Sequence, residues 1–296
     1  MVNETWESFA REFEEKFNFP FRLGAIDGKH CQIQEAKYHI HGPTYICITK
    51  YKHHVSYLYV QAFPGCGSQN FNYKGTHSVV LLAIASANHV FIAFDIGAPG
   101  RQSDGGILSQ SCFGKALVKH ALNIPPKKVF IADEAFPLQK HIMRPIPGKQ
   151  LGDDEIIFNC RLSRARMSVE NTFGIVASRW RIYRRPVIGK PHLAKGIIKA
   201  TVCLHNWLLL DEEPVDPAAR RYGSPNLLDT HNKNGEIITG QWRIMVTSDD
   251  ALCNLDASMH FVSNRYSTTS ASIREMFTNF FLSSGQIVKQ WNKLPV

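Results

Sequence analysis

The sequence predicts an α/β fold, a mixed sheet flanked by helices with additional C-terminal helices, on three observations. Short apolar runs bounded by turn residues recur at 21–26, 77–87, 90–95 and 128–132 and read as buried strands. Apolar residues at helical spacing mark longer segments at 159–180 and 192–210. The order is strand, strand, strand, helix, strand, connection, helix, which suits a sheet covered by helices.

Residues 3–17 read as a first helix. Trp6, Phe9, Phe13 and Phe17 fall on one face, Asn3 or Thr5 is a candidate cap, and Pro20 ends the segment. The run FRLGAI (21–26) is a strand that ends at Asp27-Gly28. The glycine-rich GAPGRQSDGG (97–106) is a loop, and Ser103 or Asp104 caps a helix that runs to about residue 122. Pro125-Pro126 precede the strand KVFIA (128–132), which ends at Asp133. Residues 137–160 form a connection. The helix that follows carries the apolar stripe Leu162, Ala165, Val169, Phe173, Val176 and Trp180. Residues 211–240 are polar and turn-rich, and 272–281 form a terminal helix. The organisation is thus an N-terminal helix (1–20), a main domain (21–210) and a C-terminal extension (211–296).

Composition narrows the function. With 44% hydrophobic residues among 296, the chain buries a substantial core. The net charge of +9 points to an anionic partner, nucleic acid first. Seven cysteines are scattered without a CxxC pair, a poor disulfide or zinc framework that fits reduced thiols in cytosol or nucleus. The polar N-terminus is not a secretory signal. The longest apolar run, 79–94, falls short of the ~20 residues a membrane span needs and reads as two strands. GxGxxG and GxxxxGK[ST] are both absent, which argues against a nucleotide-binding enzyme.

Asp27, Asp133 and Glu170 carry the chemistry. Two strand-end acids and a third on a packed helix can converge on divalent ions, because magnesium prefers oxygen ligands and a two-metal site clamps both oxygens of a phosphodiester cleavage. Glu170 sits beside the apolar stripe, between Val169 and Phe173. It is the only acid in a segment holding Arg161, Arg164, Arg166, Arg179, Arg181, Arg184 and Arg185. Arg164, Arg166, Arg179 and Arg181 are candidate DNA backbone contacts, and Trp180 and Tyr183 are candidate base-stacking residues.

The motifs GAIDGKH (24–30), NYKGTHSVVLLA (72–83), DIGAPGRQSDGG (95–106), ADEAFPL (132–138) and FNCRLSRARMSVENTFGI (158–175) resemble, in order, those of PIF/Harbinger-type DDE transposases and their domesticated nuclease descendants. The resemblance covers roughly residues 5–290. It implies an RNase H-like DDE endonuclease domain over 21–210, Mg2+ or Mn2+ as cofactor, and DNA strand cleavage in the nucleus. It maps the acids onto Asp27, Asp133 and Glu170, with 36 residues, 134 to 169, in the last interval. Asp95 and Asp104 stand in motif positions and rank second, as auxiliary ligands or as capping residues. DNA and a Myb/SANT-like DNA-binding protein are the implied partners, no membrane is involved, and self-association is left open. The chain departs from the family pattern by an insertion at 35–63, whose histidines show no ligand frame, and by Ser86, where relatives often carry Asp. These departures motivate the alternative of a catalytically silent DNA- or chromatin-binding adaptor.

Overall fold

The computed structural model describes residues 2–34, 48–51, 54–57, 70–72, 76–232, 236–247, 250–253 and 266–287. Most of the 35–63 insertion lies outside these residues. Within it, β2 (Ile48–Tyr51) and β3 (His54–Tyr57) pair antiparallel with each other.

Helix α1 (Val2–Phe17) leads into β1 (Arg22–Gln34), the central strand. Strands β4 (Ser78–Ala85) and β5 (Phe91–Pro99) follow, then α2 (Asp104–Gln110), α3 (Cys112–Val118), β6 (Val129–Ile131) and β7 (Ile142–Met143). Next come α4 (Asp153–Arg179), β8 (Val187–Ile188) and α5 (Pro191–Asp211). The C-terminal part holds β9 (Thr230–His231), β10 (Ile237–Ile238), α6 (Trp242–Met245), β11 (Leu252–Cys253) and α7 (Thr268–Leu282).

The main sheet has the order β5-β4-β1-β6-β7. β1 is antiparallel to β4, which is antiparallel to β5, while β6 and β7 run parallel to β1. The far end of β1 also pairs with β8 and β11. Strand alternation sends residues to two cores. On one face Ala25, Leu81 and Ala83 meet Leu162 and Val169 of α4, Ile198 of α5 and Phe277 of α7. On the other, Ile26, Leu82 and Ile84 meet Ala10 of α1, Ile107 of α2 and Leu117 of α3.

Phe130 on β6 anchors the second core. It is fully buried, with edge-on contacts to Trp6 at 6.0 Å and Phe113 at 5.2 Å between ring centroids. Phe130→Ala should therefore destabilise the protein by about 3–5 kcal/mol, the cost of a large core truncation that leaves a cavity. Denaturant unfolding monitored by circular dichroism would measure it, and a loss below about 1 kcal/mol would contradict this packing role.

The structure departs from the sequence expectations in three places. β1 does not stop at Asp27 but continues to Gln34, because β4 remains paired with it through Gln32 and Ser78. The helix expected over 103–122 is broken at Ser111, whose backbone turns extended and whose hydroxyl accepts from Gly114 N at 2.9 Å. Ser111 thus caps α3 while its own amide closes α2, a competition typical of serine. Helix α4 begins at Asp153, with Asp153, Asp154 and Glu155 in its first turn, where the helix dipole favours negative charge.

Candidate active site

β1 and β6 run parallel with Ala25 opposite Ile131. Asp27 and Asp133 each stand two residues past that pair, so the sheet brings their backbones side by side. Asp27 is therefore a mid-strand residue, and the site opens where β6 ends rather than where β1 ends. Asp27 is 5% exposed. One carboxylate oxygen accepts from Gly28 N at 2.9 Å, and the other lies 3.3 Å from Lys29 Nζ. Lys29 is two residues along the strand and so shares Asp27's face.

Alternation turns Asp27 toward α4 and Gly28 toward α2. The missing side chain of Gly28 leaves room for Asp104, the first residue of α2. A Cβ at Gly28 would stand 2.5 Å from Asp104 Oδ1. Ser103, not Asp104, caps the helix, accepting from Gly106 N at 3.3 Å. Burial pushes the Asp104 carboxyl up to about 7, reinforced by the charges of Asp27 and Asp133 and opposed by Lys29. Burial also raises Asp133, again with Asp27 adding to it, against Arg166, the Ala135 amide and Lys29. Mutual repulsion thus couples Asp27, Asp104 and Asp133 electrostatically.

Glu170 reaches this cluster through a bridge. Arg166 Nη2 lies 3.7 Å from Asp133 Oδ2 and 3.8 Å from Glu170 Oε1, so the two carboxylates are no more than twice that reach apart. Arg243 Nη2 stands 3.1 Å from Glu170 Oε2 and 2.7 Å from the buried Asp229. Arg243 arrives on α6, whose Trp242 ring occupies the space over Gly174, where a Cβ would come within 2.3 Å of it. Trp242 also donates to Asn171 Oδ1 at 3.0 Å.

The remaining sequence candidates are placed elsewhere. Asp95 shares a face with Leu82 and Gly28, opposite to that of Asp27, and accepts from Cys112 N at 3.3 Å at the start of α3. It is not among the charges acting on Asp104 or Asp133. Ser86 follows β4 beyond the Ala25–Ala85 pair, and its hydroxyl accepts from Asn88 N and Val90 N at 3.2 and 3.1 Å. Its role there is to shape a turn. The seven arginines divide in the same way. Arg161 is buried against the Phe281 ring, Arg166 joins the acid cluster, and Arg179 donates to the backbone carbonyls of Arg221 and Tyr222. Arg164 is half-buried, and burial lowers its pKa, while Arg181, Arg184 and Arg185 are exposed. Tyr183 is fully buried and bonds to Thr201, so it is a core residue and no base platform. Trp180 is half-buried and donates to Tyr222 Oη at 2.9 Å. Sequence reasoning missed Lys29, which stands within the GAIDGKH motif, and Arg243 with Asp229, which carry no sequence signal.

The donor set fits a hard divalent ion. The candidate donors Asp27, Asp104, Asp133 and Glu170 are all carboxylates, with no thiol or imidazole among them, and oxygen-only sets suit magnesium and manganese. Asp104 and Asp133 are held desolvated beside Asp27, an arrangement that a doubly charged cation would relieve. Among the described residues, no three His, Cys, Asp or Glu side chains already stand at ligating spacing. Lys29 and Arg166 lie against the carboxylates.

A pH dependence follows. Asp104 has a raised pKa, so the ion-free fold holds this proton more tightly than the unfolded chain does. Its contribution to stability falls as pH rises from the ordinary carboxylate range to about 7. An ion requires the ionised form, so its affinity should climb over that window by up to about tenfold per pH unit and level off above it. Calorimetric Mn2+ titration in buffers of different ionisation enthalpy should find proton release at about pH 6 and little at about pH 8. Equal release at both would contradict the placement of Asp104.

A family model described as DDE superfamily endonuclease matches residues 26–206, a span that includes Asp27, Asp104, Asp133 and Glu170. No curated protein and no solved structure matches the chain.

Proposed function

The chain belongs to the DDE superfamily endonuclease family, and from that premise we propose that it is a divalent-metal-dependent DNA endonuclease of Harbinger-transposase descent. The observation that carries this reading is that the charges of Asp27, Asp104 and Asp133 act on one another around the β1–β6 edge, with Glu170 tied to Asp133 through Arg166. Asp27, Asp133 and Glu170 are the principal ligands of the proposed site, and Asp104 joins them as a further ligand. A divalent ion held by these carboxylates would supply Lewis-acid stabilisation of the scissile phosphate and an activated water, as in a two-metal hydrolysis.

The chain's own residues do the rest. β1 and β6 hold Asp27 and Asp133 on rigid backbone, so little reorganisation is needed to present both. Asp104 would release its proton to solvent on taking part as a ligand. Lys29 and Arg166 offset the carboxylate charge before ions arrive and remain as cations beside an anionic substrate. The exposed Arg181, with the half-buried Arg164 of α4, is proposed to contact the DNA backbone. The sheet order, with one antiparallel pair of strands on one side of β1 and two parallel strands on the other, supports an RNase H-like reading. The net charge of +9 supports a DNA substrate, and a separate Myb/SANT-like protein and nuclear residence go with the transposase reading. The adaptor reading rests on Ser86, which here shapes a turn, and on the insertion.

Purified chain incubated with supercoiled plasmid and Mg2+ or Mn2+ tests the proposal. Nicking by the native chain and its loss in Glu170→Gln are expected. Nicking that survives in Glu170→Gln refutes the site. No nicking even with a DNA-binding partner supplied favours the adaptor.

A further inference from the structure

The outward face of α5 has no partner among the described residues. Its inward face, Ala194, Ile198, Thr201, Val202 and His205, packs on β4 and β5. Outward, at helical spacing, stand Leu193, Gly196, Ala200, Cys203, Trp207 and Leu210. Trp207 is 61% exposed and Leu210 54%. An uncharged stripe of this length on a solvent-facing helix is a feature of interaction surfaces.

We propose that α5 is a self-association surface, on which two copies of this chain pair antiparallel about a two-fold axis between Ala200 and Cys203. Two features select a second copy over another occupant. The first is shape. Antiparallel pairing about that point sets Leu193 against Leu210, Ala200 against Cys203 and Gly196 against Trp207 of the other copy. A Cβ at Gly196 would meet nothing within 4 Å, so the space over it is open to the indole. Small residues at 196, 200 and 203 let the two helix axes approach closely, near the ~8 Å lower end of helix packing distances. An isologous interface requires this kind of self-complementarity, in which each patch is its own partner.

The second feature is charge. The N-terminal half of α5 and its cap carry Lys190, His192, Lys195 and Lys199 and no acid, whereas Asp211, Glu212 and Glu213 close its C-terminal end, where Arg179 and Arg220 offset part of the glutamates' charge and Asp211 is exposed. Antiparallel pairing places each basic end beside an acidic end and also opposes the helix dipoles. Parallel pairing would juxtapose like charges. The inference is independent of the nuclease reading, because no residue of the acid cluster takes part.

Sedimentation of the full-length chain across the micromolar range tests it, together with Cys203 cross-linking by a short bis-maleimide. A dimer is expected, with a cross-linked band that vanishes in Cys203→Ser. Gly196→Glu should yield a monomer with unchanged circular dichroism, because the site is open and glutamate is the better helix former, and its melting temperature should lose the concentration dependence of the native dimer. Trp207→Glu should do the same. A monomer throughout overturns the proposal. A protected Cys203 thiol would then show the face covered by the chain's own residues, and a reactive one would show it free for a different protein. A dimer that persists in both Glu variants also overturns it.

Discussion

Asp133→Asn is expected to stabilise the ion-free protein while lowering metal-dependent DNA cleavage by a factor on the order of 10³ or more. The two effects have one cause. Burial and the Asp27 charge hold the Asp133 carboxyl above its ordinary value, so the ionised group is disfavoured in the fold. The sign follows directly. A raised carboxylate pKa means that stability is lost as pH rises through the titration, so removing the charge should help at neutral pH and make no difference in acid. Asparagine keeps the shape of the side chain and its amide oxygen can still accept from Ala135 N, now 2.9 Å from the carboxylate. What it removes is the anionic ligand. Thermal melts at neutral and acidic pH, beside plasmid nicking, would read both halves. A variant that is less stable at neutral pH, or one that still cuts, would contradict the account.

Gly28→Ala should be the second severe change, although glycine has no side chain to contribute chemistry. A methyl group there would stand 2.5 Å from Asp104 Oδ1, a distance real Cβ contacts do not tolerate. β4 pairs with β1 on both sides of Gly28, from Ala25 through Gln32, so the carboxylate is the part that moves. Displacing one ligand while leaving the others should lower Mn2+ affinity by about 10–100-fold, the scale seen when the groups that orient ligands are removed. The raised titration of Asp104 should fall back toward the ordinary carboxylate range as it leaves Asp27 and Asp133. Calorimetry would show the weaker affinity and the missing proton release together. Native Mn2+ affinity in Gly28→Ala would mean that Asp104 does not approach the ion through this gap.

The core of the fold was legible because burial is written in local pattern. The runs at 77–87 and 90–95 became β4 and β5, and the stripe of Leu162, Val169 and Phe173 became the buried face of α4. The end of β1 was not legible. Gly28, Lys29 and His30 look like the end of a strand, yet they lie buried in its interior because pairing with β4 and the site itself account for them. Asp104 read as a cap or an auxiliary ligand, because it follows a serine, opens a helix and stands in a motif position. Only three-dimensional placement turns its carboxyl toward Gly28. Arg243 lies 73 residues beyond Glu170 in a segment without periodicity, so nothing local announces their ion pair. Tyr183 misled because its neighbours are arginines, and its burial depends on α5 folding back to present Thr201.

The central claim is that the acids around β1 and β6 form one divalent-ion site. Mn2+ titration of the native chain beside Asp27→Asn and Asp95→Asn tests it most directly. The account predicts saturable binding by the native chain and a loss of about 10–100-fold or more in Asp27→Asn. It predicts native affinity in Asp95→Asn, because Asp95 accepts from the amide that opens α3 and is not among the charges acting on Asp104 or Asp133. Native affinity in Asp27→Asn, or a loss confined to Asp95→Asn, would contradict it.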